Sequence, residues 1–221
     1  MHRLLVIGLC ALAGVQTVAA RVLTAGAAKG IKVAGVDIVQ GATATIAGKS
    51  IPLTTVGWGL RQKHVLGFAV DVYVAHLMAA GAPQKFQHDE SRALDSLDDP
   101  AVTAVAMQLT FLRAVDSAAL VDSFTQSFKA NGVDTTSGTA RELLARAAEG
   151  GTSEKGKSIV VVCERMPDRT ERVTYETTAG VASVMTAPQG FIRSLLSLWL
   201  GKTAPGDDGL AALRAALCKS R

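Results

Sequence analysis

Residues 57–73 read GWGLRQKHVLGFAVDVY, and the way this stretch folds decides the architecture of the chain. It holds Arg61 and one of only two tyrosines, Tyr73. On one straight strand these side chains would stand ~40 Å apart, at ~3.3 Å per residue. Gly67 lies midway and can take turn conformations that other residues avoid, so a hairpin or bulge near it would bring Arg61 and Tyr73 together. From Val65 to Leu77 the pattern alternates. Leu66, Phe68, Val70, Val72 and Val74 point one way, and Gly67, Ala69, Asp71, Tyr73 and Ala75 the other, which predicts a strand with the first set in the core. Gly67, Ala69 and Ala75 leave the Tyr73 face short of side-chain volume, a space for a helix or a ligand to fill.

Upstream, IKVAGVDI and ATATIAGKSI predict short strands separated by glycine turns. Downstream, PQKFQHDESRALDSLDDP reads as a connecting loop with a short helix, and VTAVAMQLTFLR as a strand with Val105, Met107, Leu109 and Phe111 on its apolar face. The period then changes. DSAALVDSFTQSFKANG predicts a helix capped by Asp116 or Ser117, buried through Leu120, Val121, Phe124 and Phe128, and stopped by Asn131 and Gly132. TARELLARAAEGG predicts a second helix, SIVVVCERM and ERVTYETT a strand pair, and PQGFIRSLLSLWLG and DDGLAALRAALC two closing helices. Strands and helices occur in runs, not in strict alternation. That predicts an α+β domain with helices covering one face of a mainly antiparallel sheet.

Residues 1–20, MHRLLVIGLCALAGVQTVAA, have the basic start, apolar run and small-residue end of a secretory signal cleaved after Ala20. A single domain is expected over residues 21–221, outside the cytoplasm and most simply periplasmic. Cys10 does not make a lipid-attachment box, because Leu9 holds the preceding site where a small residue is needed. No later segment supplies the ~20 consecutive apolar residues of a membrane span. Without the signal, 22 Lys and Arg face 19 Asp and Glu. These charges are interspersed and aromatics are scarce, which weighs against nucleic acid as a partner. Export permits a Cys163–Cys218 disulfide, and two buried thiols remain the alternative.

Gly151 to Ser158, GTSEKGKS, satisfies the phosphate-loop pattern. A nucleotide loop follows a strand and opens a helix, however, whereas this one follows a predicted helix and opens a β-branched run. No nucleotide is expected. His64, His76 and His88 lack metal-ligand spacing, and no Gly-x-Ser-x-Gly elbow nominates a hydrolase nucleophile. No metal or cofactor is implied. Arg61 remains the residue to explain. A buried guanidinium needs an anion, either an internal acid such as Asp71 or the acid group of a ligand, held bidentately with help from the Tyr73 hydroxyl.

The sequence resembles the chalcone isomerase superfamily, particularly its exported bacterial members and its fatty-acid-binding branch. The resemblance rests on GWGLR at 57–61, VDVYVAHL at 70–77, LTFLRAVDSAALVDSF at 109–124 and FIRSLLSLWLGK at 191–202. It implies an open-faced β-sandwich with a large antiparallel sheet covered by a layer of helices. In the fatty-acid-binding branch an arginine and a tyrosine hold the lipid carboxylate, and these fall on Arg61 and Tyr73. In the isomerase branch a threonine, a tyrosine and an asparagine assist the arginine. Their positions fall on Tyr73, on Asp116 or Ser117, and near Ser123, so the isomerase set is not reproduced. Arg113 is typical of the bacterial members and is expected to be a structural ion-pair partner. The sequence therefore points to an exported binder of a fatty acid or similar amphipathic carboxylate. A chalcone isomerase-like intramolecular lyase and a noncatalytic envelope scaffold are the alternatives.

Overall fold

The structure is a computed structural model that describes residues 21–219. The expected signal segment lies outside the described residues. Ten strands and five helices follow one another as β1 (Leu23–Ala25), β2 (Ala28–Val33), β3 (Val36–Val39), β4 (Gly41–Ile46), β5 (Lys49–Val65), β6 (Phe68–Ala80), α1 (Ala93–Leu97), β7 (Ala104–Phe111), α2 (Ser117–Ala130), α3 (Gly138–Glu149), β8 (Ser158–Arg165), β9 (Glu171–Glu176), β10 (Ala182–Ala187), α4 (Phe191–Leu200) and α5 (Asp208–Leu217). Eight strands form one antiparallel sheet in the order β1-β4-β5-β6-β7-β8-β9-β10, and β2 and β3 form a separate hairpin. This is the expected α+β architecture. β10 was not anticipated; it is only six residues long and pairs on one side alone, with β9.

The largest core lies between the sheet and the helices. Tyr73, Ala75, Leu77 and Ala79 of β6 and Val105, Met107, Leu109 and Phe111 of β7 meet Leu120, Phe124 and Phe128 of α2 and Ile192, Leu195 and Trp199 of α4. The Asp116 carboxylate caps α2 by accepting from the Ala119 N–H at 2.7 Å. On the opposite face, Ala42, Ala44 and Ile46 of β4 pack with Val160 and Val162 of β8. These strands are far apart in the sheet order, so the sheet curls over its own back. Beside them the β2–β3 hairpin covers Trp58 and Val74 with Ile38.

The predicted alternation over Val65–Leu77 is broken twice. The chain reverses at Leu66 and Gly67, both left-handed at φ 50° and 84°, which is the conformation a tight two-residue hairpin turn requires. A bulge then intervenes, because Arg61 pairs with Tyr73 but Gln62 pairs with Asp71, leaving Val72 as the extra residue. Val72 joins the helix-side core and Val74 the opposite face. Leu66 and Phe68, expected in the core, are 94% and 76% exposed.

Candidate functional site

Antiparallel pairing places Arg61 directly opposite Tyr73, so the hairpin does bring the two together. Both are buried. The guanidinium is occupied. Its Nη2 lies 2.7 Å from the Asp207 carboxylate and its Nη1 donates to the Gln62 carbonyl. The anticipated internal partner, Asp71, instead accepts from the Gln62 side-chain amide at 2.7 Å. Asp207 also caps α5, accepting from the Leu210 N–H at 3.0 Å. One carboxylate thus serves both a cation and a helix start.

Tyr73 stands edge-on to Phe111, with ring centroids 5.9 Å apart. Burial pushes its hydroxyl up to about 12, against the opposing influence of the Arg61 guanidinium and the nearby Trp199 indole, while the Asp207 carboxylate adds to the rise. A phenol held protonated in this way can donate to an anion, and Arg61 beside it supplies the charge. The aliphatic neighbours are Leu210 and Leu213 of α5 and Leu195 and Leu196 of α4, all buried.

The glycines of the opening stretch have a structural use. A side chain at Gly57 would run into the backbone of Leu217, and one at Gly59 would stand 2.8 Å from Ala216 Cβ and 2.9 Å from Leu213 Cδ1. Gly209, at the other end of α5, leaves no room for a side chain between itself and the Gln62 carbonyl and Arg61 Nη1. Gly57, Gly59 and Arg61 therefore form a strip on β5 along which α5 lies, its first turn over the guanidinium. Sequence reasoning found the cation and the phenol but missed Asp207 and Trp199. Asp207 precedes a predicted helix and so reads as a cap, yet nothing local connects it to an arginine 146 residues away.

Of the positions corresponding to isomerase assistants, only Tyr73 joins this site, as a tyrosine in place of the threonine. Asp116 caps α2, and Ser123 is exposed. Arg113 is exposed and makes no ion pair among the described residues, contrary to the structural role expected of it. The GTSEKGKS segment lies between α3 and β8, the reversed context that argues against a nucleotide loop. His76 is buried on β6, where burial pulls its imidazole down to about 4, opposed only in part by the nearby Asp37 backbone, and neither ring nitrogen makes a hydrogen bond of normal geometry among the described residues. Cys163 and Cys218 are buried free thiols. Two polar clefts of about 590 Å³ each are lined by residues such as Arg92, Asp95 and Arg193, and Arg21, Glu154 and Lys157; neither includes Arg61 or Tyr73. Among the described residues no helix is long and apolar enough to cross a membrane.

No curated protein sequence matches the chain. Among solved structures, a fatty-acid-binding protein of Arabidopsis thaliana is similar at 18% identity and a TM-score of 0.47, covering 79% of this chain and 98% of its own. Residues 30–216 match a family profile described as chalcone isomerase-like. With that match spanning most of its length and a curled antiparallel sheet backed by helices, the chain belongs to the chalcone isomerase-like family.

Proposed function

We propose that this protein is an exported, periplasmic, noncatalytic binder of a fatty acid or similar amphipathic carboxylate. Arg61 and Tyr73 hold the acid group, and Asp207 occupies that seat when the ligand is away. The observation that carries this reading is a buried guanidinium already bearing a carboxylate at 2.7 Å, beside a protonated phenol and under an apolar helix layer. Exchanging Asp207 for a ligand carboxylate keeps the charge on Arg61 balanced, so the exchange avoids the large penalty of an unpaired buried cation. Asp207 is about a quarter exposed and follows a connection from Gly201 in which no residue is buried, with Pro205 and Gly206 just before it exposed, so it has solvent to move into. The ligand's hydrocarbon chain requires α5 to shift off the glycine strip, exposing the apolar sides of Leu210 and Leu213.

The same contacts support a second reading, a noncatalytic scaffold in which Asp207 is the permanent partner and α5 never leaves. Native mass spectrometry of freshly purified protein, followed by titration of delipidated protein with long-chain fatty acids, separates the two. A binder carries a lipid of defined mass and loses affinity in Arg61→Ala. Equal affinity in wild type and Arg61→Ala removes the clamp, and no binding at all leaves the scaffold. An isomerase would instead consume a hydroxychalcone. Efficient turnover needs donors preset around the developing oxyanion, where loss of one typically costs ~10²-fold or more, and Asp207 on Arg61 is the wrong charge for that purpose. A spectrophotometric assay should show no chalcone loss at any pH.

A further inference from the structure

We infer that the tip of the β5–β6 hairpin is a docking point for a lipid bilayer with anionic headgroups. β4 pairs with β5 only over Lys49–Thr54, and β7 pairs with β6 only from Tyr73 onward. Residues 62–71 therefore pair with each other alone and project beyond the sheet by about 16 Å, at ~3.3 Å per residue. The apex of this arm is apolar. Leu66 is 94% exposed, Phe68 76% and Val65 45%, three of the six large hydrophobic side chains most exposed on the described surface. Val65 and Phe68 are register partners, so their side chains share one face of the ribbon, with Leu66 at the turn between them.

The charges around the apex fit the same partner. Lys63 and His64 precede it and are exposed on the arm. β7 ends and β8 begins at this end of the sheet, which brings exposed Arg113, Lys155 and Lys157 to the same side of the molecule. Acidic groups are also present at this end: Asp71 accepts from Gln62, Asp116 caps α2 and Asp207 pairs with Arg61, which leaves exposed Asp208 at the base of the arm and Glu154 among the lysines. Val181, 61% exposed in the β9–β10 connection, adds apolar surface at this end. A convex apolar apex on an arm bearing Lys63, with Arg113, Lys155 and Lys157 toward the base of that arm, suits an interface in which hydrocarbon lies beneath anionic headgroups and long cationic side chains reach up to them. A protein partner would have to offer a cavity for the apex, whereas a bilayer yields around it. The inference does not depend on what occupies Arg61.

Vesicle flotation of the purified protein tests it, using phosphatidylcholine alone and phosphatidylcholine mixed with phosphatidylglycerol. Wild type should float with the mixed vesicles, more weakly at high salt, and poorly with phosphatidylcholine alone. Leu66→Ser with Phe68→Ser, both on exposed positions, should cut flotation about tenfold or more. Lys155→Glu with Lys157→Glu should remove mainly the salt-sensitive part. Circular dichroism and thermal melting confirm that both variants fold. Wild type remaining in the lipid-free fraction overturns the inference, as does unchanged flotation of the serine variant. Sedimentation velocity supplies a further check: a dimer that the serine substitutions dissolve would assign the tip to a contact between copies and would also overturn it.

Discussion

Replacing Asp207 by asparagine should lower the stability of the protein and raise its affinity for a carboxylate ligand. Asparagine is as good a helix cap as aspartate, so the bond to the Leu210 N–H survives and the substitution isolates the charge on Arg61. Removing one partner of a buried ion pair typically costs ~3–5 kcal/mol, because the other charge is left without compensation. Here the Arg61 side chain is 8% exposed but that of Asp207 is 26%. Water therefore softens the loss, and the amide oxygen still accepts from Nη2, so about 2–3 kcal/mol is expected. Urea denaturation reads this as a lower midpoint at unchanged slope. In the binding measurement the ligand no longer has to eject a competing anion. If half the lost pairing returns when a fatty-acid carboxylate arrives, affinity rises by about 1.4 kcal/mol, a factor of ten. Isothermal titration of delipidated wild type and variant would measure it. Stability and affinity that fall together, or affinity that does not move, would refute the idea that Asp207 holds the ligand's seat.

Three further outcomes follow from other parts of the molecule. The folded state holds His76 at about 4 against an ordinary 6.5, so the unfolded chain binds the extra proton. Stability should then fall by about 3 kcal/mol as pH drops from ~6.5 to ~4, with no further loss from this group below that. His76→Leu should flatten that window relative to wild type in urea titrations at several pH values. Gly209→Ala puts a methyl against the Gln62 carbonyl and Arg61 Nη1, and should lower stability by the ~1–3 kcal/mol typical of overpacking, read as a lower melting midpoint; a variant as stable as wild type would show that α5 is not seated on β5. Burial pushes the Cys163 thiol above its ordinary range and that of Cys218 to about 11. A thiol reagent at neutral pH should therefore label neither in the native protein and both in denaturant, whereas an absence of thiols after denaturation would reveal a disulfide.

The helices and most strands were legible because their signals are local. The α2 stripe of Leu120, Phe124 and Phe128 behind Asp116 follows helical spacing, and the alternate residues of β7 follow strand spacing. The failures share a physical cause: each was decided by contacts distant in sequence or by a single inserted residue. The bulge at Val72 reverses the faces of the residues on its two sides, and Leu66 and Phe68 miss the core because they lie on the arm that reaches beyond the neighbouring strands. Nothing in residues 57–73 announces that Leu66 takes a positive φ, a conformation unusual outside glycine and asparagine. At the candidate site the cation and phenol could be read from their spacing about Gly67. Their anion could not, because Asp207 reaches Arg61 only once α5 has settled on the sheet.

That settling gives the Gly-x-Gly-x-Arg stretch a meaning independent of any ligand. Gly57 meets Leu217, Gly59 meets Leu213 and Ala216, and Arg61 meets Gly209, so the strand climbs as the helix descends. From Gly57 to Arg61 the strand rises about 13 Å, and from Gly209 to Leu217 the helix rises about 12 Å. The lengths agree, so two glycines clear the track for α5 and the arginine marks where the helix must begin. Arg61 would ordinarily be repelled by the positive end of a helix. The Asp207 carboxylate offsets that repulsion by standing between the guanidinium and the first N–H groups of α5. Drawing Asp207 away therefore weakens both the cap and the charge balance at one point, and the first turn of α5 is the part of the helix layer that should yield first. An anion entering beside Tyr73 would restore the balance on Arg61 without restoring the cap, so a ligand-bound protein should have a looser α5 start than the empty one. Hydrogen exchange at Leu210 and Ala211, faster with ligand than without, would be the signature of that exchange of carboxylates; protection that increases on binding would mean that the helix start and the seat are not coupled in this way.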